Sequence, residues 1–291
     1  MSNMNPDNST HKNMLEKPVM GGIAVPIAIV LIGALIIFGV TKMLGNSKGH
    51  RELVEELQSK TFGNRWVAAF ELSKYVAQGK IPSEDVPWMI EKLDQTFRES
   101  VDPRTKNFIV LTLSALKSPL ALATIDAALI DADDKVRFNA VMAIGNMDSM
   151  PSVYDWSKLL ALYQLQDDGL KQVLNYTLAT HGVVAAQQSM LDLLEVENKH
   201  VQYSASLALA HFSHPKSISL LKEIASLRYD DKPGSLFGSA QVEHLKLNLI
   251  RAAQKTKWSE LLLIVELLAK NDANVKISTK ANEVLNLLKN R

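Results

Sequence analysis

Small and apolar residues recur at helical spacing behind an acidic or amide turn residue along residues 102–212. The clearest instance runs Asp134, Val136, Arg137, Ala140, Ala143, Ile144, Gly145 and Met147. The same register returns as Asp102, Thr105, Lys106, Ile109, Thr112, Leu113 and Leu116, and as Asp168, Leu170, Lys171, Leu174, Thr177, Leu178 and Ala179. It returns again as Asn198, Val201, Gln202, Ala205, Ala208, Leu209 and Ala210. A second marker agrees: Pro119, Pro151, Val183 and Pro215 stand 32 residues apart, each opening another apolar run. Such spacing buries one stripe of a helix, and a unit repeating every ~30 residues can bury that stripe only against its neighbours. The pattern therefore predicts an all-α array of stacked helical hairpins. Its first helices begin near residues 119, 151, 183 and 215, its second helices near 102, 134, 168 and 198.

Outside this stretch the same alternation predicts helices at 51–58, 65–76 and 86–97. Ser83, Glu84 and Asp85 suit the start of the third, where side-chain oxygens and negative charge meet unpaired N–H groups. Gly79 ends the second of these, and Gly182 stands where a left-handed helix end is expected. Residues 228–241 break the rhythm with Asp230, Asp231, Pro233, Gly234 and Gly238, an insertion in which Leu236 and Phe237 are apolar and available as a gripping tip. Helical periodicity resumes to the C-terminus with a terminal unit in a different register, as the end of an array requires.

The N-terminal region follows another pattern. Residues 18–41, between Lys17 and Lys42, carry no charge and are dense in Ile, Val and Leu. A helix of that length reaches ~36 Å, enough to cross a hydrocarbon layer of ~30 Å. The predicted organisation is a disordered tail over 1–18, a transmembrane helix over 19–43, a linker over 44–50 and the helical array over 51–291. Lys42, Lys48, Arg51 and Lys60 follow the span against Lys12 and Lys17 before it. This asymmetry predicts a single-pass protein of the inner or plasma membrane whose array faces the cytoplasm.

Charge removes one class of function. Of 32 basic and 31 acidic residues, Lys12, Lys17, Lys42, Asp7 and Glu16 precede residue 45, leaving 29 of each in the array. Nucleic-acid binders carry a basic excess to neutralise phosphate, and none exists here. Cysteine is absent, which excludes disulfides and thiolate chemistry.

The residues Asp134, Val136, Arg137, Ala140, Ala143, Ile144 and Gly145, with the recurrent prolines 119, 151 and 215, resemble HEAT repeats of the HEAT-like class. The resemblance covers residues 63–289 and implies a right-handed α-solenoid of about six to seven hairpins used for protein recognition. Gln202 departs from the basic residue of that motif. In such repeats the basic column, here Lys106, Arg137, Lys171 and Lys246, is implied to pair with the turn acids Asp102, Asp134 and Asp168 of neighbouring units.

No nucleophile–base order, phosphate-binding glycine loop or metalloprotease motif occurs. His211 and His214 are spaced to share a metal but have no recognisable third ligand. No cofactor, metal or small-molecule substrate is predicted. His181 reads as a helix C-terminal residue, and Trp66, Trp88, Trp156 and Trp258 as core or edge fillers. The second helices hold the candidate site. Away from the core positions they present Leu111, Met142, Tyr176 and Leu207, with Phe108, Phe138, Val173 and Tyr203 one turn earlier. A solvated helix face would be polar there, so these residues, with Leu236 and Phe237, are expected to form an apolar groove for a helix or extended peptide. Packing between adjacent helices is the competing explanation. The expected function is a membrane-anchored scaffold for a protein partner. The alternatives are an accessory subunit of a membrane transport or respiratory complex, or a HEAT-like enzyme of lyase or DNA-repair type.

Overall fold

The computed structural model describes residues 48–59 and 65–289. The predicted tail and transmembrane helix, and most of the predicted linker, lie outside the described residues. Among the described residues no helix is long and apolar enough to cross a membrane.

From His50 onward the described chain is helical without strands. Its helices are α1 (His50–Gln58), α2 (Arg65–Ala77), α3 (Val86–Glu99), α4 (Pro103–Leu116), α5 (Leu122–Ala128), α6 (Asp134–Gly145), α7 (Ser157–Ala161), α8 (Asp168–Thr180), α9 (Gln187–Asp192), α10 (Lys199–Ala210), α11 (Ile218–Ser226), α12 (Ser239–Thr256), α13 (Ser259–Asn271) and α14 (Val275–Lys289). They pair in order into seven hairpins, and α2, α4, α6, α8, α10, α12 and α14 stack on one another in succession. The first helices touch each other far less, so the second helices form the tighter, inner side of the stack. The apolar core runs in two clusters that meet at α10: Val201 and Ala205 belong to the first, Tyr203 and Ala210 to the second.

Side-chain caps start the second helices. The carboxylates of Asp102, Asp133 and Asp167 and the amide oxygen of Asn198 accept N–H groups of the first turns of α4, α6, α8 and α10. The caps of α6 and α8 are thus one residue earlier than the spacing predicts. The first helices differ more from expectation. Pro119 and Pro215 open 3₁₀ turns, and Val183 caps a third, before the α-helices begin. Pro151 opens no helix at all: residues 151–156 form turns, and α7 starts only at Ser157. Asp85 precedes α3 as expected but does not cap it. Its carboxylate turns to α1, where it accepts from His50 Nε2 at 2.7 Å and pairs with Arg51. The His50 bond, with Arg51, holds the Asp85 carboxyl below its ordinary range despite opposing burial.

Two glycines are required by geometry. Gly182 adopts φ +67° after α8, as a left-handed helix end demands. Gly145 lets α6 and α8 approach, because a Cβ there would lie 2.6 Å from Thr177 Oγ1. That hydroxyl instead donates to Val141 O at 3.1 Å. His181 sits at the end of α8 as predicted, but serves the neighbouring helix: its Nε2 meets Ile144 O, near the end of α6, at 2.8 Å.

Candidate functional site

The eight residues of the predicted groove do not form one open surface. Phe138 is 36% exposed and Tyr176 53%, whereas Tyr203 is only 2% exposed and Val173 is buried. Phe108, Leu111, Met142 and Leu207 are half-buried, and Phe108, Met142 and Leu207 pack on the core. The caps give the helix position of each. Leu111, Met142, Tyr176 and Leu207 each lie nine residues beyond their caps and make a true column along the inner face. Phe108 and Val173 lie six beyond, Phe138 and Tyr203 five beyond, so the second predicted column mixes two helix positions about 100° apart.

Phe237 is also misplaced by the sequence reading. It is 7% exposed, stacked on Tyr203 with ring centroids 5.2 Å apart and set 4.4 Å from the His200 ring. The insertion tip therefore closes over α10 and covers Tyr203, whose hydroxyl donates to Glu223 at 2.8 Å. Leu236 alone of the pair stays exposed. Asp231 holds the base of the loop by accepting the Ser239 N–H at 2.7 Å. Burial of an aromatic ring is the larger gain, and a loop with few other apolar groups takes it.

What remains open are the rings of Phe138, near the start of α6, and Tyr176 on α8, beside Gly145 at the end of α6. A shallow depression of about 370 Å³ adjoins Phe138, edged by Asp134, Lys135, Asn139 and Asp167. Asn139 Nδ2 donates to Asn107 Oδ1 on α4, which orients both amides between the inner helices. Asn175 behind Tyr176 is buried and satisfied, accepting from Tyr163 at 2.8 Å and donating to Ser204 at 2.9 Å. Two aromatic rings among polar and charged groups, on rigid helices, suit recognition by contact. The described residues hold no cluster of three or more metal-ligating side chains.

Three members of the basic column, Lys106, Arg137 and Lys246, are structural, in arrangements other than those implied, while Lys171 makes no ion pair among the described residues. Lys106 Nζ donates to Asp131 at 2.7 Å and Lys246 Nζ to Asp272 at 2.7 Å, in each case a carboxylate two residues ahead of the residue that caps the next inner helix, Asp133 or Asn274. Burial raises the Asp131 carboxyl, but Lys106 and the Asp133 N–H outweigh it and leave the group below its ordinary range. Arg137 instead turns back within its own unit, donating to Asp131 O at 2.6 Å and pairing with Asp134. Gln202 makes the same backward bond, Nε2 to Val196 O at 2.6 Å. A cap-to-donor search for i−6 carbonyls, rather than for acids, would have found both.

No family model matches the chain, and no curated protein matches it. Solved structures do. The complex of CpcE and CpcF of phycocyanin lyase from Nostoc sp. PCC7120 is 17% identical, with 85% of this chain and 96% of that one covered at a TM-score of 0.55. YibA from E. coli is 16% identical over 83% of each chain, at a TM-score of 0.54. A designed armadillo repeat protein in complex with the peptide (KR)4 overlaps more loosely, at 18% identity and a TM-score of 0.45. The first two likenesses show the fold alone: an α-solenoid of stacked helices.

Proposed function

We propose that this chain is a non-catalytic scaffold that holds a protein partner, as a helix or extended segment, against the inner face around Phe138 and Tyr176. The observation that carries the reading is the exposure of these two rings on adjacent inner helices, edged by amides and charges. Interfaces concentrate their energy in such aromatic anchors within a polar rim. The half-buried Leu111, Met142 and Leu207 would extend contact along the column. The membrane-anchored form of this proposal rests on the uncharged stretch 18–41, and the cytoplasmic orientation on the flanking lysines and Arg51.

Replacing Phe138 and Tyr176 by serine tests the scaffold. Because Tyr176 is half exposed and Phe138 about a third exposed, replacing Tyr176 should cost under about 1 kcal/mol of stability and replacing Phe138 about 1–2 kcal/mol. Co-purification from solubilised membranes should then lose the partner recovered with the unaltered full-length chain. Recovery unchanged in the double variant would move the interface elsewhere. Full-length protein found without membranes would remove the anchor from the proposal while leaving the scaffold.

A further inference from the structure

The insertion changes what lies above it. Here α11 stops at Ser226 and Leu227 leaves in an extended conformation. Tyr229 then turns inward. Its hydroxyl donates to Asp272 Oδ1 at 2.6 Å, and its ring lies 4.5 Å from Lys246 Nζ. Lys246 and Asp272 are enclosed, their side chains 4% and 1% exposed.

Beside this triad, where α11 gives way to the insertion, lies a cavity of about 570 Å³ between α11 and α13, within the range that holds small organic ligands. Leu227, Ile264, Leu267 and Leu268 supply its apolar wall, while Lys222 and Arg228 stand exposed on its lining. Lys246 reaches it from below. Asp272 is the sole carboxylate on this lining, and it is already engaged by Lys246, Tyr229 and the Asn274 N–H. Lys222 and Arg228 make no ion pair among the described residues. The lining thus joins a hydrocarbon surface to two uncompensated positive charges.

We infer that this cavity binds a small aliphatic carboxylate, its chain against the leucine and isoleucine wall and its carboxylate between Lys222 and Arg228. A neutral alkyl chain would gain the apolar contact but leave both cations unanswered. An alkylammonium would meet like charge from both Lys222 and Arg228. The Arg228 guanidinium offers paired donors suited to a carboxylate.

Calorimetric titration of the full-length protein with hexanoate, hexanol and hexylammonium, in one buffer and detergent, tests the assignment. Hexanoate should bind saturably at least tenfold more tightly than either of the others. The charge-reversed variant Lys222→Glu/Arg228→Glu, altered only at exposed side chains, should lose hexanoate binding by tenfold or more and acquire binding of hexylammonium. Absence of saturable hexanoate binding, equal binding of hexanol, or an unaffected charge-reversed variant would each overturn it. The unfolding midpoint of the variant, expected within a few degrees of the parent, separates lost affinity from lost folding.

Discussion

Two hairpins of this solenoid bury the same ion pair in different ways. Near the N-terminal end, Lys106 on α4 reaches Asp131, with the Phe97 ring 5.2 Å from the ammonium. Near the C-terminal end, Lys246 on α12 reaches Asp272 at the same distance, with Tyr229 in the place of Phe97. Phe97 belongs to α3, a helix of 14 residues whose final turns carry the ring over the lysine. The corresponding α11 has only nine residues, and the ring must come from the loop beyond it. The same pair therefore recurs in two hairpins, whereas the cavity lies where α11 gives way to the insertion. The loop-closed copy is also the deeper one, since Lys106 keeps 23% of its side chain exposed.

The deepest contrast should appear when one partner is removed. Asp272→Ala leaves the enclosed Lys246 uncompensated and should cost about 3–5 kcal/mol. Asp131→Ala frees a lysine that can still reach water, and should cost about 1–2 kcal/mol. Denaturant unfolding of both variants checks the difference, and equal losses would mean that exposure does not separate the two sites.

A second break concerns the loop itself. Phe97→Ala removes a buried ring from a helix, and Phe237→Ala removes one from the insertion. Both should destabilise by about 3 kcal/mol, with Phe237 at the lower end because a loop can settle into the gap. A neutral Phe237→Ala would show that the insertion is not pinned over α10.

The smallest effect distinguishes the paired lysines from an unpaired imidazole. His211, at the end of α10, has a buried Nδ1 without a partner. Burial, with Lys255 nearby, lowers its pKa to about 4 from 6.5. Between those values the unfolded chain binds the proton and the folded chain does not, so stability falls as pH drops from 6.5 towards 4. Allowing for partial exposure, the loss should be roughly 1–2 kcal/mol. His211→Leu should flatten this part of the pH–stability curve, and an unchanged slope would assign the acid sensitivity to other groups.

Much of the fold was legible in the sequence because stacking imposes a period. The residues on α4, α6, α8 and α10 that had to be apolar repeat with the caps Asp102, Asp133, Asp167 and Asn198. The candidate surface was less legible for the same reason. Where Asp133 and Asp134, or Asp167 and Asp168, stand side by side, either could start the helix, and one residue of slip rotates a side chain by about 100°. Phe108 and Val173, six residues beyond their caps, were thereby set in one column with Phe138 and Tyr203, five beyond theirs. Phe237 escaped because its burial depends on Tyr203 and His200, more than thirty residues away, which no local pattern reports. Pro151 kept the 32-residue beat without its helix, since a proline favours a helix start but equally favours a turn. The cavity beside Lys246 had no periodic signature at all; it lies where α11 gives way to the insertion.

The backward bond shared by Arg137 and Gln202 bears on how such arrays diverge. What the position needs is an N–H aimed at a carbonyl six residues earlier, and a neutral amide supplies it as well as a guanidinium. Each unit can therefore exchange a charge for an amide while keeping its helix start intact. The electrostatic character of one edge of the solenoid can drift, repeat by repeat, on an unchanged frame.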